Sequence, residues 1–240
     1  HRTPYSGRNF EYYSEDPFIS GKTCAAETAG IQSKGVYVYN KHFAFNDQES
    51  NRNGVAPFMM EQKARELELR GFQIAFENGM LGTMTAFNRI GTTYVSAHEG
   101  LIDGILRGEW DFKGYIVTDL INPPSYMTWK ESVAAGTTNF DSVGVKEEWN
   151  DYLTETDNKL GGDAKLLQRM KDAVHHTLYV LANSNRMNAV NTSTRVVEVN
   201  NWWRLSYKGC FYGSAGLGCL AVLCYVITLF GTRRKDGKKQ

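Results

Sequence analysis

The chain has 240 residues, 42% of them hydrophobic and 22% charged, with 23 Gly and 5 Pro. This composition excludes collagen-like, low-complexity and mostly disordered chains, and the length admits one (β/α) barrel or two smaller domains. Lys plus Arg number 27 against 26 Asp plus Glu, a balance that argues against a nucleic-acid binder driven by electrostatics.

The chain opens His1-Arg2-Thr3-Pro4, without an initiator Met or a signal pattern, and is expected to continue a longer protein. From Arg2 to Pro17 two arginines, two glutamates, an aspartate and four aromatic residues crowd together. Aromatic faces stack on sugars, and carboxylates and guanidinium groups bond hydroxyls in pairs, although a charged, aromatic surface loop has the same composition. Val36–Tyr39 reads as a strand leading into Lys41-His42-Phe43. Met60, Ala64, Leu67, Gly71 and Ile74 then follow helical spacing within about Phe58–Asn78, stopped by Gly79. A second strand, Met80–Ala86, leads into Asn88 and Arg89. Ser96-Ala97-His98-Glu99 has the pattern of a capping box ahead of a helix with Leu101, Ile102, Ile105 and Leu106 on its apolar side. Tyr115–Thr118 is a third strand ending in Asp119, and Asp163 is placed to cap a helix carrying Leu166, Met170, Val174, Leu178 and Leu181.

Strands alternating with helices predict an α/β fold with a parallel sheet, and the periodicity fits a barrel and a doubly wound sheet equally. In both, active sites gather at the carboxyl ends of strands, where Asp119, Lys41, His42, Asn88 and Arg89 fall. Singly, each has a plainer explanation: Asp119 as a loop cap, Lys41 as a solvated charge, His42 as a satisfied core imidazole.

After residue 190 the chain changes character. Residues 191–203 are a polar linker containing the sequon Asn191-Thr192-Ser193. Gly209–Gly231 carries no charge and Trp202, Trp203, Tyr207 and Tyr212 crowd its front edge, so 204–232 is expected to be a transmembrane helix. Residues 233–240 form a basic tail of local charge +4, which leaves the rest of the chain at −3. The positive-inside rule then puts the C-terminus in the cytoplasm and the globular part outside. Three of the four cysteines, Cys210, Cys219 and Cys224, lie in the apolar segment with Cys24 far away, and no metal-ligand spacing appears.

The runs RTPYSGRNFEYYSEDPFISG, KHFAFNDQESNR, MTAFNRIG and LRGEWDFKGYIVTD resemble the barrel domain of glycoside hydrolase family 3, in the same order and over most of residues 1–190. The resemblance implies a partial (β/α)8 TIM-type barrel followed by the single transmembrane helix, and a retaining exo-β-glycosidase acting on a β-glucoside or oligosaccharide. Asp119 matches the family nucleophile. Arg8, Lys41 and His42 match residues that hold sugar hydroxyls, and Met84 and Phe87 fall in the substrate-binding stretch. Phe87 stands where many relatives have Tyr, and Leu120 where an aromatic is frequent. KHFAFNDQESNR departs from the hexosaminidase branch's KHFPGHG, so a glucosidase or xylosidase is favoured. The resemblance also implies an irregular peptide at Lys41-His42, since neighbouring strand residues otherwise face opposite ways. It places the acid/base Glu on a separate domain, expected upstream, so residues 1–240 alone are expected to be inactive. No metal or organic cofactor is implied. The alternative is a non-catalytic, membrane-tethered glycan-binding protein built on the same fold.

Overall fold

Helix α1 (Pro17–Gln32) starts where local chemistry dictates: Pro17 sits in its first turn and the Asp16 carboxylate accepts from the Ile19 N–H at 2.7 Å. The computed structural model describes residues 3–121, 126–141, 163–188, 193–195, 197 and 199–236. They belong to two compact units, His1–Val190 and Asn191–Gln240.

The first unit is built on a parallel sheet of β1 (Tyr39–Phe43), β2 (Gly82–Thr85) and β5 (Tyr115–Val117), in that order. A separate hairpin, β3 (Arg89–Ile90) with β4 (Thr93–Tyr94), turns at Gly91. Tyr39 lies level with Gly82, and Gly82 with Tyr115. On its far side Val117 bridges in parallel to Asn139. Among the described residues each strand adds to the same side as the last. This is how a barrel wall winds, whereas a doubly wound sheet reverses at a switch point.

The crossover from β1 to β2 is α2 (Glu61–Lys63), a π-helical stretch Ala64–Glu68, and α3 (Arg70–Glu77). The helix expected from Phe58 therefore starts three residues later, with Phe58 and Met60 exposed, and it is interrupted. Its end is as expected, with Asn78 as C-cap and Gly79 at φ 90°. The first strand is displaced from Val36–Tyr39 to Tyr39–Phe43, because the ladder can begin only where Gly82 offers a partner. Lys41 and His42 thus lie within β1, not beyond it.

The crossover from β2 to β5 is a π-helix, Gly100–Glu109, which buries Leu101, Ile102 and Leu106. Its glycines, Gly100, Gly104 and Gly108, leave the α form little intrinsic advantage. The expected capping box does not form. Ser96 is fully buried in a 3₁₀ turn (Val95–Ala97) and its hydroxyl pairs with Thr85 Oγ1 at 2.5 Å. His98 caps instead, its Nδ1 accepting from the Leu101 N–H at 3.1 Å. A buried hydroxyl finds a buried partner before it serves a helix end.

Phe43, fully buried, meets Phe72, Phe76 and Trp110 edge-on at ring-centroid distances of 5.2, 6.1 and 6.2 Å. Such pairs contribute about 0.5–1.5 kcal/mol each beyond their burial. This cluster fastens β1 to both crossovers. Helix α4 (Trp129–Ala135) ends at Gly136 in the left-handed region, and α5 (Ala164–Ala182) is capped by Asp163 as expected, accepting from the Leu166 N–H at 2.9 Å.

The second unit contains α6 (Trp202–Asp236), of which Trp202–Thr228, 27 residues, is long and apolar enough to cross a membrane. None of that span is buried. Asn191 and Thr192 of the sequon, part of the linker and residues 237–240 of the tail lie outside the described residues.

Gly114 shows how tightly β5 approaches its neighbour: a Cβ there would lie 2.2 Å from the Leu81 carbonyl oxygen and 2.5 Å from the Phe112 ring. Gly114→Ala is expected to cost at least about 1–3 kcal/mol, read as a lower midpoint in thermal unfolding; an unchanged midpoint would show that β5 has slack against β2.

Candidate active site

Asp119 follows β5 at the rim of the sheet. Its N–H donates to the Thr85 carbonyl at 3.2 Å, and its Oδ1 accepts the Leu120 N–H at 2.7 Å. The backbone on both sides of Asp119 is therefore tied down, which fixes where the carboxylate points. Oδ2 is screened from solvent and has no hydrogen-bond partner, while the side chain as a whole keeps 16% exposure. Within 4 Å of Oδ2, among the described residues, lie His42 Nε2 at 3.6 Å and Arg52 Nη1 at 3.9 Å, and the Tyr94 and Tyr126 hydroxyls feel its charge from farther off.

The β1–β2 ladder shifts register between Asn40 and Phe43, and the Lys41–His42 and Phe43–Ala44 peptides are cis. The irregular peptide implied by the resemblance is present. Lys41 and His42 line one cavity, of about 120 Å³, together with Tyr12 and Asn46.

The N-terminal loop closes over these groups. The Glu49 N–H donates to the Ser6 carbonyl at 3.1 Å, and a Cβ at Gly7, which has φ 85°, would press on the Glu49 side chain. The loop at 46–54 and the loop at 3–11 are thereby zipped together. Arg8 Nη1 reaches His42 Nε2 at 3.1 Å, and Arg8 Nε donates to Glu11. A guanidinium only donates, so Nε2 is the acceptor, and the neutral ring carries its proton on Nδ1, which donates to Tyr12 Oη at 3.0 Å. Burial, joined by the charges of Arg8, Lys41 and Arg52, lowers the His42 pKa to about 3. The contact from His42 to Asp119 is therefore not an ion pair at neutral pH. Burial also pushes Tyr12 up to about 12, so its hydroxyl stays neutral.

The charges form one alternating line. Lys41 pairs with Glu11 at 3.3 Å, Glu11 with Arg8, Arg8 with Glu49 at 3.6 Å, Glu49 with Arg52 at 3.1 Å, and Arg52 with Asp119 at 3.9 Å. Interior members have two opposite neighbours, whereas Lys41 and Asp119 at the ends have one each. The ends are therefore the least neutralised charges of the line. Glu11 titrates lower than an ordinary carboxylate: burial would raise it, but Arg8 and Lys41 outweigh that.

Of the residues singled out from sequence, Asp119, His42, Arg8 and Lys41 come together. Phe87 joins them through Arg52, whose guanidinium lies 4.0 Å from its ring centroid. Met84 is half-buried in β2 level with Val117, two residues short of Asp119. Asn88 and Arg89 serve the hairpin: Asn88 is buried, its amide donating to the Arg89 carbonyl, and Arg89 stacks on Tyr126. Sequence reasoning missed Glu49 and Arg52, although both stand in the run KHFAFNDQESNR. Leu120 is 38% exposed beside the carboxylate. Among the described residues no cluster of three or more His, Cys, Asp or Glu could hold a metal ion.

The model of the Glycosyl hydrolase family 3 N terminal domain matches residues 1–135, more than half of the chain. The chain belongs to this family. Two curated family relatives are beta-glucosidase A of Butyrivibrio fibrisolvens, 44% identical over 120 residues, and probable beta-glucosidase K of Emericella nidulans, 45% over 119. These stretches are 50% and 49% of this chain but 14% of each relative, so the chain spans a small part of their length. Beta-glucosidase 3B from Thermotoga neapolitana, solved with glucose, superposes with a TM-score of 0.69 at 34% identity, over 78% of this chain and 26% of that one. Its complex with glycerol gives 0.68 at 32%, over 81% and 28%.

The neutral imidazole has a signature in stability. The unfolded chain binds a proton at His42 near pH 6.5, whereas the folded chain holds that pKa near 3. The contribution is therefore whole above pH 6.5 and is lost as pH falls towards 3, by on the order of a few kcal/mol. Nitrogen-15 NMR at pH 5 is expected to show His42 neutral and protonated at Nδ1; an imidazolium at that pH would contradict the arrangement.

Proposed function

We propose that this chain carries the nucleophile half of a retaining exo-β-glycosidase of the β-glucosidase type. The observation that carries the reading is the Asp119 carboxylate, fixed at a strand end as one terminus of the charge line, with Lys41 at the other. In this reading Asp119 attacks the anomeric carbon of a terminal glucose or xylose, forming a glycosyl-enzyme that water later hydrolyses. Arg8, Lys41 and His42 bond the sugar hydroxyls, His42 by exchanging its Arg8 or Tyr12 partner for one of them, and Met84 and Phe87 complete the subsite. The cationic donors strengthen their hold as the ring gains oxocarbenium character.

A retaining enzyme also needs a protonated carboxyl about 5–5.5 Å from the nucleophile. Glu11 and Glu49 are unsuited, because guanidinium groups hold them in ion pairs. The reading keeps the acid/base Glu on a separate domain, as the family resemblance implies. The same saturation of nearby carboxylates is what a glycan-binding protein without turnover would show, and that is the second reading.

For the apolar helix we propose a single membrane span. Twenty-seven residues rise about 40 Å, ample for a hydrocarbon core of about 30 Å. The globular part would lie outside and the basic end in the cytoplasm.

The full protein in detergent, treated with 2,4-dinitrophenyl 2-deoxy-2-fluoro-β-glucoside, separates the two readings, since that leaving group needs no acid. Mass spectrometry is expected to find the fluoroglucosyl group on Asp119, and Asp119→Asn to cut labelling about 10,000-fold. No label, or a label elsewhere, leaves the glycan-binding reading. For the helix, the expected outcome is retention in membranes through alkaline carbonate and release by detergent; extraction by carbonate alone would refute the span.

A further inference from the structure

We propose that Arg52, held on the face of Phe87, is a positioning residue whose charge receives the Asp119 carboxylate as the glycosyl-enzyme bond breaks; the proposal rests on Asp119 being the nucleophile. Both oxygens of Asp119 bear on this. Oδ1 already accepts the Leu120 N–H at 2.7 Å, while Oδ2 lies unpartnered between His42 Nε2 and Arg52 Nη1. Nε2 carries no proton and its lone pair accepts from Arg8, so the imidazole has nothing to donate to Oδ2. The positive group left facing Oδ2 is Arg52.

A side chain as long as arginine holds one orientation only when several contacts fix it. Arg52 has them. Glu49 Oε2 lies 3.1 Å from Nη1, and Glu49 is itself held by the Asn46 amide at 2.9 Å. The Phe87 ring lies under the guanidinium at 4.0 Å. Phe87 is a firm platform, since its carbonyl accepts the Tyr126 hydroxyl at 2.7 Å and its ring packs against the cluster of Tyr94, Ile121 and Trp129. The guanidinium covers that ring face, so whatever Phe87 does for the Asp119 charge passes through Arg52.

The sign of the effect follows from where charge moves. When Asp119 attacks, the carboxylate loses charge, and a neighbouring cation gives that step no advantage. When the glycosyl-enzyme breaks, the bond between the anomeric carbon and Asp119 gives its electron pair back to the carboxylate, and a fixed cation stabilises the charge that develops. Arg52 therefore favours departure of the sugar more than its attachment.

Azide isolates that step, because it attacks the anomeric carbon as an anion without a general base. Its nitrogen forms the new bond, Asp119 leaves as carboxylate, and 2-fluoroglucosyl azide is released. With the full protein labelled as above, Arg52→Gln is expected to slow release by azide about 10- to 100-fold and labelling by a clearly smaller factor. Arg52→Lys should fall between. Phe87→Leu should slow release in the native background but add nothing in Arg52→Gln, the non-additivity expected when one residue acts through another. Melting curves of each variant, taken first, exclude unfolding as the cause, and Phe87→Leu with Arg52→Lys carries the test if Arg52→Gln does not fold. Release at the native rate in Arg52→Gln, or additive effects of the two positions, would overturn the role of Arg52 and leave the nucleophile standing. Absence of label on Asp119 in the native protein would overturn both.

Discussion

The contact on which the site depends is the hydrogen bond from the Arg8 guanidinium into His42 Nε2. It joins a loop near the start of the chain to the first strand of the sheet, and it sets the protonation of a buried ring. Burial, with the Arg8 bond into Nε2, keeps the imidazole neutral, and its N–H at Nδ1 donates to Tyr12 Oη. A charged ring here would meet Arg8, Lys41 and Arg52 in a space where burial already opposes charge. The neutral ring lets three cations share the site with three carboxylates without a surplus. Loss of Arg8 would therefore do more than remove one donor: it would free Nε2 and unfasten the loop that carries Glu11.

Alternating charges explain how so many ionised groups coexist in a half-buried rim. Pairing each interior charge with two of opposite sign offsets the cost of removing it from water, as isolated pairs would not. The same arrangement is selective about what remains reactive. Glu11 and Glu49 resemble Asp119 in chemistry but are each clasped by two cations, whereas Asp119 touches one. Position along the line, more than residue type, separates a candidate nucleophile from structural carboxylates.

The position of Asp119 at a strand end was legible in the sequence because a run of apolar strand residues ending in a carboxylate is a local signal. That Arg8, Lys41 and His42 gather near it was legible only through the family motifs, since nothing local tells a clustered lysine from a solvated one. Glu49 and Arg52 were hidden for a different reason. Their roles arise when the Glu49 backbone zips to Ser6, a pairing across more than forty residues that no periodicity encodes. The displaced start of β1 and the failed capping box have the same origin. Strand limits are set by the partner strand, and the Ser96 hydroxyl is taken by Thr85 across the fold. What depends on neighbours in sequence was readable, and what depends on neighbours in space was not.

The second unit obeys a different constraint. Helix α6 keeps large apolar side chains such as Phe211, Leu223 and Phe230 more than half exposed. A soluble helix buries such residues on one face, at roughly 25 cal/mol per Å² of apolar surface removed from water. Here apolar residues surround the axis, so no one-sided contact could cover them. The proposed membrane span would meet that need, with an environment apolar on every side and an interface for Trp202 and Trp203 at one end. The charged side chains around Asp119 need the opposite, since they are partly exposed and ionised groups are costly to take out of water. Two units with such incompatible solvent requirements account for the abrupt change in composition after residue 190.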